Sequence, residues 1–92
     1  MKYLNKTSVI DFYADPGHGW AIVPLPLLEE LNLTKKHFSS FSFIDPTKQV
    51  IALEEDVDMQ KFLSIAQNKE INIHFKDIYF DDCPVRAWQP NN

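Results

Sequence analysis

Residues 8–23 read SVIDFYADPGHGWAIV and contain the clearest structural pattern in the chain. From 8 to 14, successive residues alternate between an apolar face and a mixed face, which is the period of a half-buried strand. The string DPGHG at 15–19 then breaks the alternation, because proline presets φ and glycine tolerates positive φ. A second apolar run follows at 20–23. These residues therefore predict a β-hairpin with a tight turn.

The same arrangement recurs further along the chain. Prolines and leucines within 24–31 predict a short helix with one apolar face after the first hairpin. Residues 41–44 and 49–53 flank an Asp-Pro turn and predict a second hairpin. Apolar spacing within 57–68 predicts a second helix, and residues 71–76 alternate again as a fifth strand.

Two hairpin-helix units in succession make a ββαββα pseudo-repeat, followed by the fifth strand. We therefore expect an α+β fold with a mainly antiparallel sheet and both helices packed on one face. The expected organisation is a single domain over 1–92, with its core in 7–53 and 54–76. The tail at 77–89 is apolar enough to pack back on the domain, whereas 90–92 is expected to be disordered.

Composition narrows the class of protein. The chain has 92 residues, 45% of them hydrophobic, and a net charge of −4. A small acidic domain has little nonspecific attraction for phosphate backbones, so we expect no direct nucleic-acid binding. The single cysteine, Cys83, excludes an intrachain disulfide, and neither a signal-like run in 1–8 nor a membrane-length apolar run is present. The expectation is a cytoplasmic protein without membrane or cofactor.

The string DPGHG at 15–19 also resembles the opening motif of zinc-dependent cell-wall amidases. The resemblance implies a zinc site formed by His18, Glu29 and His74, a ligand set that suits a hydrolytic metal. However, Trp20 stands where that family has a second glycine, and only residues 75–92 follow His74. We interpret the match as coincidental and keep a small zinc hydrolase as the alternative function.

A second cluster of polar residues is acidic. Glu54, Glu55, Asp56 and Asp58 precede and open the second predicted helix. Carboxylates suit a hard divalent cation, but they also stabilise the first turn of a helix. We interpret the cluster as helix capping, by Asp56 or Asp58.

The candidate binding residues lie in the glycine turn, the acidic cluster and the tail. Exposed aromatic residues and arginine dominate interaction hot spots, and core packing is the alternative for both tryptophans. Arg86 either contacts a partner or pairs internally with Asp11, Glu54 or Glu55. The full set is Asp15, His18, Trp20, Glu54, Glu55, Arg86 and Trp88.

The chain contains four motifs that we consider together: DPGHGW at 15–20 with VP at 23–24, SFSF at 40–43, LEED at 53–56 with Asp58, and PVR at 84–86. This set resembles a group of small proteins encoded by phages, plasmids and other mobile elements. The resemblance implies a setting in which small acidic domains act by binding host machinery. We therefore expect a non-enzymatic protein-binding module whose partner is a host protein or complex, such as a CRISPR or restriction system.

A structural or regulatory homodimer is a further alternative. Five strands in an open sheet leave two edges with unpaired backbone groups, and such edges can join two copies of a chain.

Overall fold

The computed structural model describes residues 6–91. Six strands are present there: β1 (Lys6–Ala14), β2 (Gly19–Pro24), β3 (Phe43–Ile44), β4 (Val50–Glu54), β5 (Ile71–Tyr79) and β6 (Gln89–Pro90). The helices are α1 (Leu25–Glu30) and α2 (Asp58–Asn68), with single 3-10 turns at Lys35–His37 and Pro84–Ala87. Within residues 6–91, no helix combines the length and the hydropathy needed to cross a membrane.

The strands form one sheet in the order β5-β1-β2-β4-β3-β6. Neighbouring strands are antiparallel except for β1 and β5, which are parallel. The two hairpins meet through β2 and β4, where Trp20 lies opposite Glu54 and Pro24 opposite Val50. The predicted α+β class with a mainly antiparallel sheet is confirmed, with six strands in place of five.

The turn between β1 and β2 is organised by Asp15. Its backbone amide donates to the carbonyl of His18 at 2.9 Å, and its carboxylate accepts from the amides of Gly17 and His18 at 3.0 Å each. Neither glycine has a positive φ, so the turn does not use the left-handed backbone that glycine tolerates. Gly19 is needed for space, because a Cβ there would lie 2.9 Å from Cε2 of Phe12.

One face of the sheet carries both helices, as predicted. α1 buries Leu27 and Leu28, and α2 buries Phe62 and Ala66, in a single apolar cluster. Each fully buried leucine or phenylalanine stabilises the fold by about 1.5–3 kcal/mol. The sheet contributes to this cluster through Ile10, Ala21, Val23, Ile51 and Leu53.

The C-terminal tail covers the opposite face of β2 and β4. Trp20 and Ile22 pack there against Cys83 and Val85, and all four are buried. Because Trp20 and Ile22 alternate with the helix-facing Ala21 and Val23, β2 is buried on both faces. The tail therefore forms a third layer over the centre of the sheet.

The end of the chain differs from the sequence expectation, which placed disorder at 90–92. Pro90 belongs to β6 and lies opposite Phe43 at the edge of the sheet. Asn91 is only 3% exposed, and its side-chain amide donates to the carbonyls of Lys35, Phe38 and Ser39. These hydrogen bonds hold the end of the chain against the loop at 35–39. The apolar periodicity of the sequence does not reveal them. Asn92 lies outside the described residues.

The strand predicted at 41–44 is also shorter than expected, since β3 contains only Phe43 and Ile44. Ser42 is fully buried, and its hydroxyl donates to Asp58 at 2.6 Å while accepting from the amide of Glu54 at 3.0 Å. These hydrogen bonds belong to a loop rather than to a β-ladder. As a result, Phe41 projects from the loop instead of packing under the sheet.

Candidate functional site

A long-range ion pair anchors the tail to the first turn. Arg86 donates from Nε to Oδ2 of Asp15 at 2.6 Å and from Nη2 to Oδ1 at 2.9 Å. The Asp15 side chain is buried, while that of Arg86 remains 44% exposed. This is the two-bond geometry that favours arginine over lysine. The internal pairing expected for Arg86 thus exists, but with Asp15 rather than with Asp11, Glu54 or Glu55.

The pair changes the acidity of Asp15. Hydrogen bonds from Arg86 hold the pKa of this carboxyl far below its ordinary value, against the opposing effect of burial. The amides of His18, Gly17 and Cys83 add to the lowering. Asp15 is therefore a permanently ionised anchor at neutral pH, which fits a positioning role and not proton transfer.

Arg86 also contacts two rings. Its Cζ lies 5.5 Å from the centroid of the Trp20 ring, in cation–π geometry. The His18 ring stacks on Trp20 at a centroid separation of 5.7 Å and an interplanar angle of 22°. Nη2 of Arg86 lies 3.2 Å from Nδ1 of His18, within hydrogen-bond distance. The guanidinium is thus held on three sides.

Beside this group lies a cleft of about 500 Å³, which we call the aromatic cleft. Its floor is Trp20, only 3% exposed, with the Phe43 ring edge-on at 6.4 Å and 82°. Phe41 and Val57 border the cleft and are 75% and 63% exposed. The complete lining is His18, Trp20, Ser40, Phe41, Phe43, Glu54, Asp56, Val57 and Arg86.

The acidic wall of the cleft is also part of the scaffold. Oε1 of Glu54 accepts from the amides of Val57 and Asp58 at 2.6 and 2.8 Å, and Oε2 accepts from that of Asp56 at 2.8 Å. Glu54 therefore satisfies the free amides at the start of α2. The acidic cluster does cap this helix, but the capping residue is Glu54 and not Asp56 or Asp58.

Asp58 turns away from the cleft. Its Oδ2 accepts hydrogen bonds from the amide and hydroxyl of Ser39 and from the hydroxyl of Ser42. This buried carboxylate fastens α2 to the loop that carries Phe41. The position of Phe41 at the rim thus depends on a network between the loop and the helix.

The structure brings together most of the predicted binding residues. Asp15, His18, Trp20, Glu54 and Arg86 surround one end of the sheet where β2 begins. Of the two others, Glu55 lies beside Gly19 at the same end of the sheet but does not line the cleft, and Trp88 faces a different cleft at the far end.

Sequence reasoning missed the apolar rim. Phe41 reads as the first residue of a strand, and Val57 reads as the entry to a helix. The only local signal was that Phe41 stands between two serines, which is unusual for a core position. Its exposure follows from the hydrogen bonds of Ser39 and Ser42 with Asp58, and side-chain periodicity does not encode these.

The proposed zinc ligands are not brought together. His74 lies on β5 opposite Val9, which is five residues, or roughly 16 Å, from the end of β1 at the His18 turn. Glu29 lies on α1, on the helix side of the sheet, whereas His74 alternates with the helix-facing Ile73 and Phe75. Across residues 6–91, no group of three His, Cys, Asp or Glu side chains is arranged to hold a metal ion.

Cys83 lies under the Asp15 anchor. The thiol is buried, and burial raises its pKa above the ordinary value, with further raising by the Asp15 carboxylate. A thiol in this state is a poor nucleophile. It contributes packing between the tail and the sheet.

No protein-family model, curated protein or solved structure matches this chain, so its function is argued from the geometry of the aromatic cleft.

Proposed function

We propose that this chain is a non-enzymatic protein-binding module that docks onto its partner through the aromatic cleft. The observation that carries the proposal is the exposure of Phe41 and Val57 on the rim of one concave surface. Residues 6–91 hold four large exposed apolar side chains, and two of them border this cleft. Exposed apolar side chains gathered around one cleft are typical of an interaction site.

The side chain of Arg86 is already restrained before a partner binds. Asp15, His18 and Trp20 already restrain the guanidinium, so little side-chain entropy remains to be lost when a partner binds. Nε and Nη2 are engaged, whereas Nη1 has no acceptor within residues 6–91. Arg86 therefore presents a fixed hydrogen-bond donor to a carbonyl group of the partner.

The charges around the cleft indicate the chemistry of the partner. Asp15 neutralises Arg86, which leaves the carboxylates of Glu54 and Asp56 as the uncompensated charges of the lining. An apolar side chain next to a lysine or arginine complements this arrangement. We infer that the partner segment inserts an apolar side chain between Phe41 and Val57 and directs a basic residue toward Asp56.

The resemblance to proteins of mobile elements supports a more specific partner. On that basis, the partner is a protein of the bacterial host, met in the cytoplasm, and the proposed class is a CRISPR or restriction complex. Inhibition then results from occupation of a surface of that complex and requires no bond-making step.

The test is affinity capture of the tagged protein from bacterial lysates that express candidate defence complexes, followed by reconstitution with the purified partner. The informative variant is Phe41→Ser, because Phe41 is exposed and its loss leaves the core intact. Tyr79→Ser is the matched control, since Tyr79 is a similarly exposed aromatic residue, 64% exposed, that does not line the cleft.

The proposal expects a stoichiometric complex with the wild type and with Tyr79→Ser, and at least a tenfold weaker complex with Phe41→Ser. It is overturned if no defence complex is captured, or if Phe41→Ser and the wild type reconstitute the complex equally well.

A further inference from the structure

A second cleft, of about 670 Å³, lies at the opposite end of the sheet. The turn between β3 and β4 forms one side, and the end of the tail forms the other. Its apolar lining includes Leu25, Pro46, Trp88 and Pro90, and its basic residues are Lys35 and Lys48. We call it the lysine cleft.

The local charge of the lysine cleft is opposite to that of the whole chain. Its lining contains two lysines and one acidic residue, Asp45, so the net charge there is positive, and the Asp45 carboxylate is held in the turn. Oδ1 accepts from the amides of Gln49 and Val50 at 2.8 and 3.0 Å, and Oδ2 accepts from the amide and hydroxyl of Thr47. Neither lysine forms an ion pair within residues 6–91, although the net charge of the chain is −4.

The backbone at Lys48 adds a second argument. Its φ is 60°, in the left-handed region that glycine adopts far more easily than lysine. The turn holds this conformation through a hydrogen bond from the Lys48 amide to the carbonyl of Asp45 at 2.9 Å. A lysine therefore occupies a backbone position that favours glycine.

We propose that the lysine cleft binds an acidic segment of a partner protein, with a carboxylate between Lys35 and Lys48 and an adjacent apolar side chain on the half-buried ring of Trp88. Aromatic and apolar walls supply contact area, and the two ammonium groups select the sign of the ligand. This site stands independently of the proposed role of the aromatic cleft.

The tail passes from one cleft to the other. Arg86 lines the aromatic cleft, and the next residue, Ala87, lines the lysine cleft. The net charge of the lining is negative in the first and positive in the second.

The test uses the full chain and two acetylated, amidated peptides, Glu-Glu-Phe-Leu-Glu and Lys-Lys-Phe-Leu-Lys, in amide and indole N–H NMR titrations. The acidic peptide is expected to shift the Trp88 indole resonance and the amide resonances of Asp45, Thr47 and Lys48 in a saturable way. The basic peptide is expected to leave them in place. Added salt should weaken the acidic complex, because the ion pairs are close to solvent.

Lys48→Gly is the informative variant, because glycine suits the positive φ and the fold should be retained. It is expected to weaken binding about two- to fivefold, the size of one partly exposed ion pair, whereas Lys48→Arg retains binding. The double reversal Lys35→Glu with Lys48→Glu should abolish it. The proposal fails if the acidic peptide shifts no resonance of the cleft, if both peptides bind equally, or if the double reversal binds like the wild type.

Discussion

The guanidinium of Arg86 and the carboxylate of Asp15 form a two-bond ion pair across 71 positions of the chain. The carboxylate is buried and the guanidinium is half exposed, so the pair closes the tail over the sheet while keeping one edge of the arginine available. The same contact organises the first turn, because Asp15 also accepts from the amides of Gly17, His18 and Cys83. Tail docking and cleft geometry therefore depend on one carboxylate.

Removal of the arginine should destabilise the protein. Arg86→Ala leaves a buried carboxylate without its counter-charge, which is the costly way to break such a pair. We expect the melting temperature to fall by about 4–8 °C, which corresponds to a loss of about 1 kcal/mol in a domain of this size. Thermal unfolding followed by circular dichroism measures it, with Lys36→Ala as an exposed control that changes little. A fall no larger than that of the control would contradict the anchoring role.

Acid should weaken the fold through the same carboxylate. The pKa of Asp15 is lowered in the folded state, so the folded protein binds fewer protons than the unfolded chain in acid. Stability is then fully present above the unfolded value, about 3.9, and is lost as the pH falls below it. Urea titrations between pH 7 and pH 2 should show this loss, with a shallower pH dependence in Asp15→Asn.

Some acid sensitivity should remain in Asp15→Asn because of Asp45. Burial raises the pKa of Asp45, but hydrogen bonds from Thr47, Val50 and Gln49 outweigh burial and the net shift is downward. The sign is therefore the same as for Asp15. Identical pH profiles for the wild type and Asp15→Asn would show that Asp15 is not the group responsible.

The two glycines of the first turn should respond differently to alanine. At Gly19 the new Cβ meets the Phe12 ring, which is packed between β1 and the helices, so Gly19→Ala should cost about 1–3 kcal/mol of unfolding free energy. At Gly17 the nearest atom is Nη2 of Arg86 at 3.1 Å, a milder contact that a small displacement of the guanidinium relieves. Chemical denaturation of both variants gives the comparison, and a larger loss for Gly17→Ala would reverse our assignment.

The hydrogen bonds that hold the end of the chain can be tested at Asn91. Its amide donates to the carbonyls of Lys35, Phe38 and Ser39, so Asn91→Ala should lower the unfolding free energy by about 1–2 kcal/mol. Asn91→Asp should cost more, because a carboxylate offers no donor and repels the same carbonyl oxygens. Urea unfolding measures both, with the exposed Gln89→Ala as control. If Asn91→Asp is as stable as the wild type, the side-chain hydrogen bonds of Asn91 do not stabilise the fold.

Local patterns were sufficient for most of the secondary structure. The alternation in 8–14, the turn at 15–19 and the helical spacing in 57–68 each depend on neighbours within a few residues, and each matches an observed element. β3 was overestimated, because Ser39 and Ser42 bond to Asp58 on α2 and hold residues 41–42 in a loop instead of a strand. That competition involves residues distant in sequence, so the local pattern carried no sign of it.

The candidate site was predictable in composition but not in arrangement. Arginine, tryptophan, histidine and the acidic residues were all named from residue type. The actual partner of Arg86, the capping role of Glu54 and the exposure of Phe41 came only from the packed chain. Three acidic residues, Asp11, Glu54 and Glu55, were each plausible partners for Arg86, and the pairing with Asp15 instead depends on where the tail crosses the sheet.

Two hairpins, two helices and a further strand could be predicted from local sequence, because strand alternation, helical spacing and turn chemistry act between near neighbours. The parallel pairing of β5 with β1, the covering of Trp20 by the tail and the cleft between Phe41 and Arg86 are seen only in the packed chain. These contacts join residues far apart in the chain. They are selected by the combined burial of apolar surface and pairing of polar groups over the whole domain, which no short stretch of sequence contains.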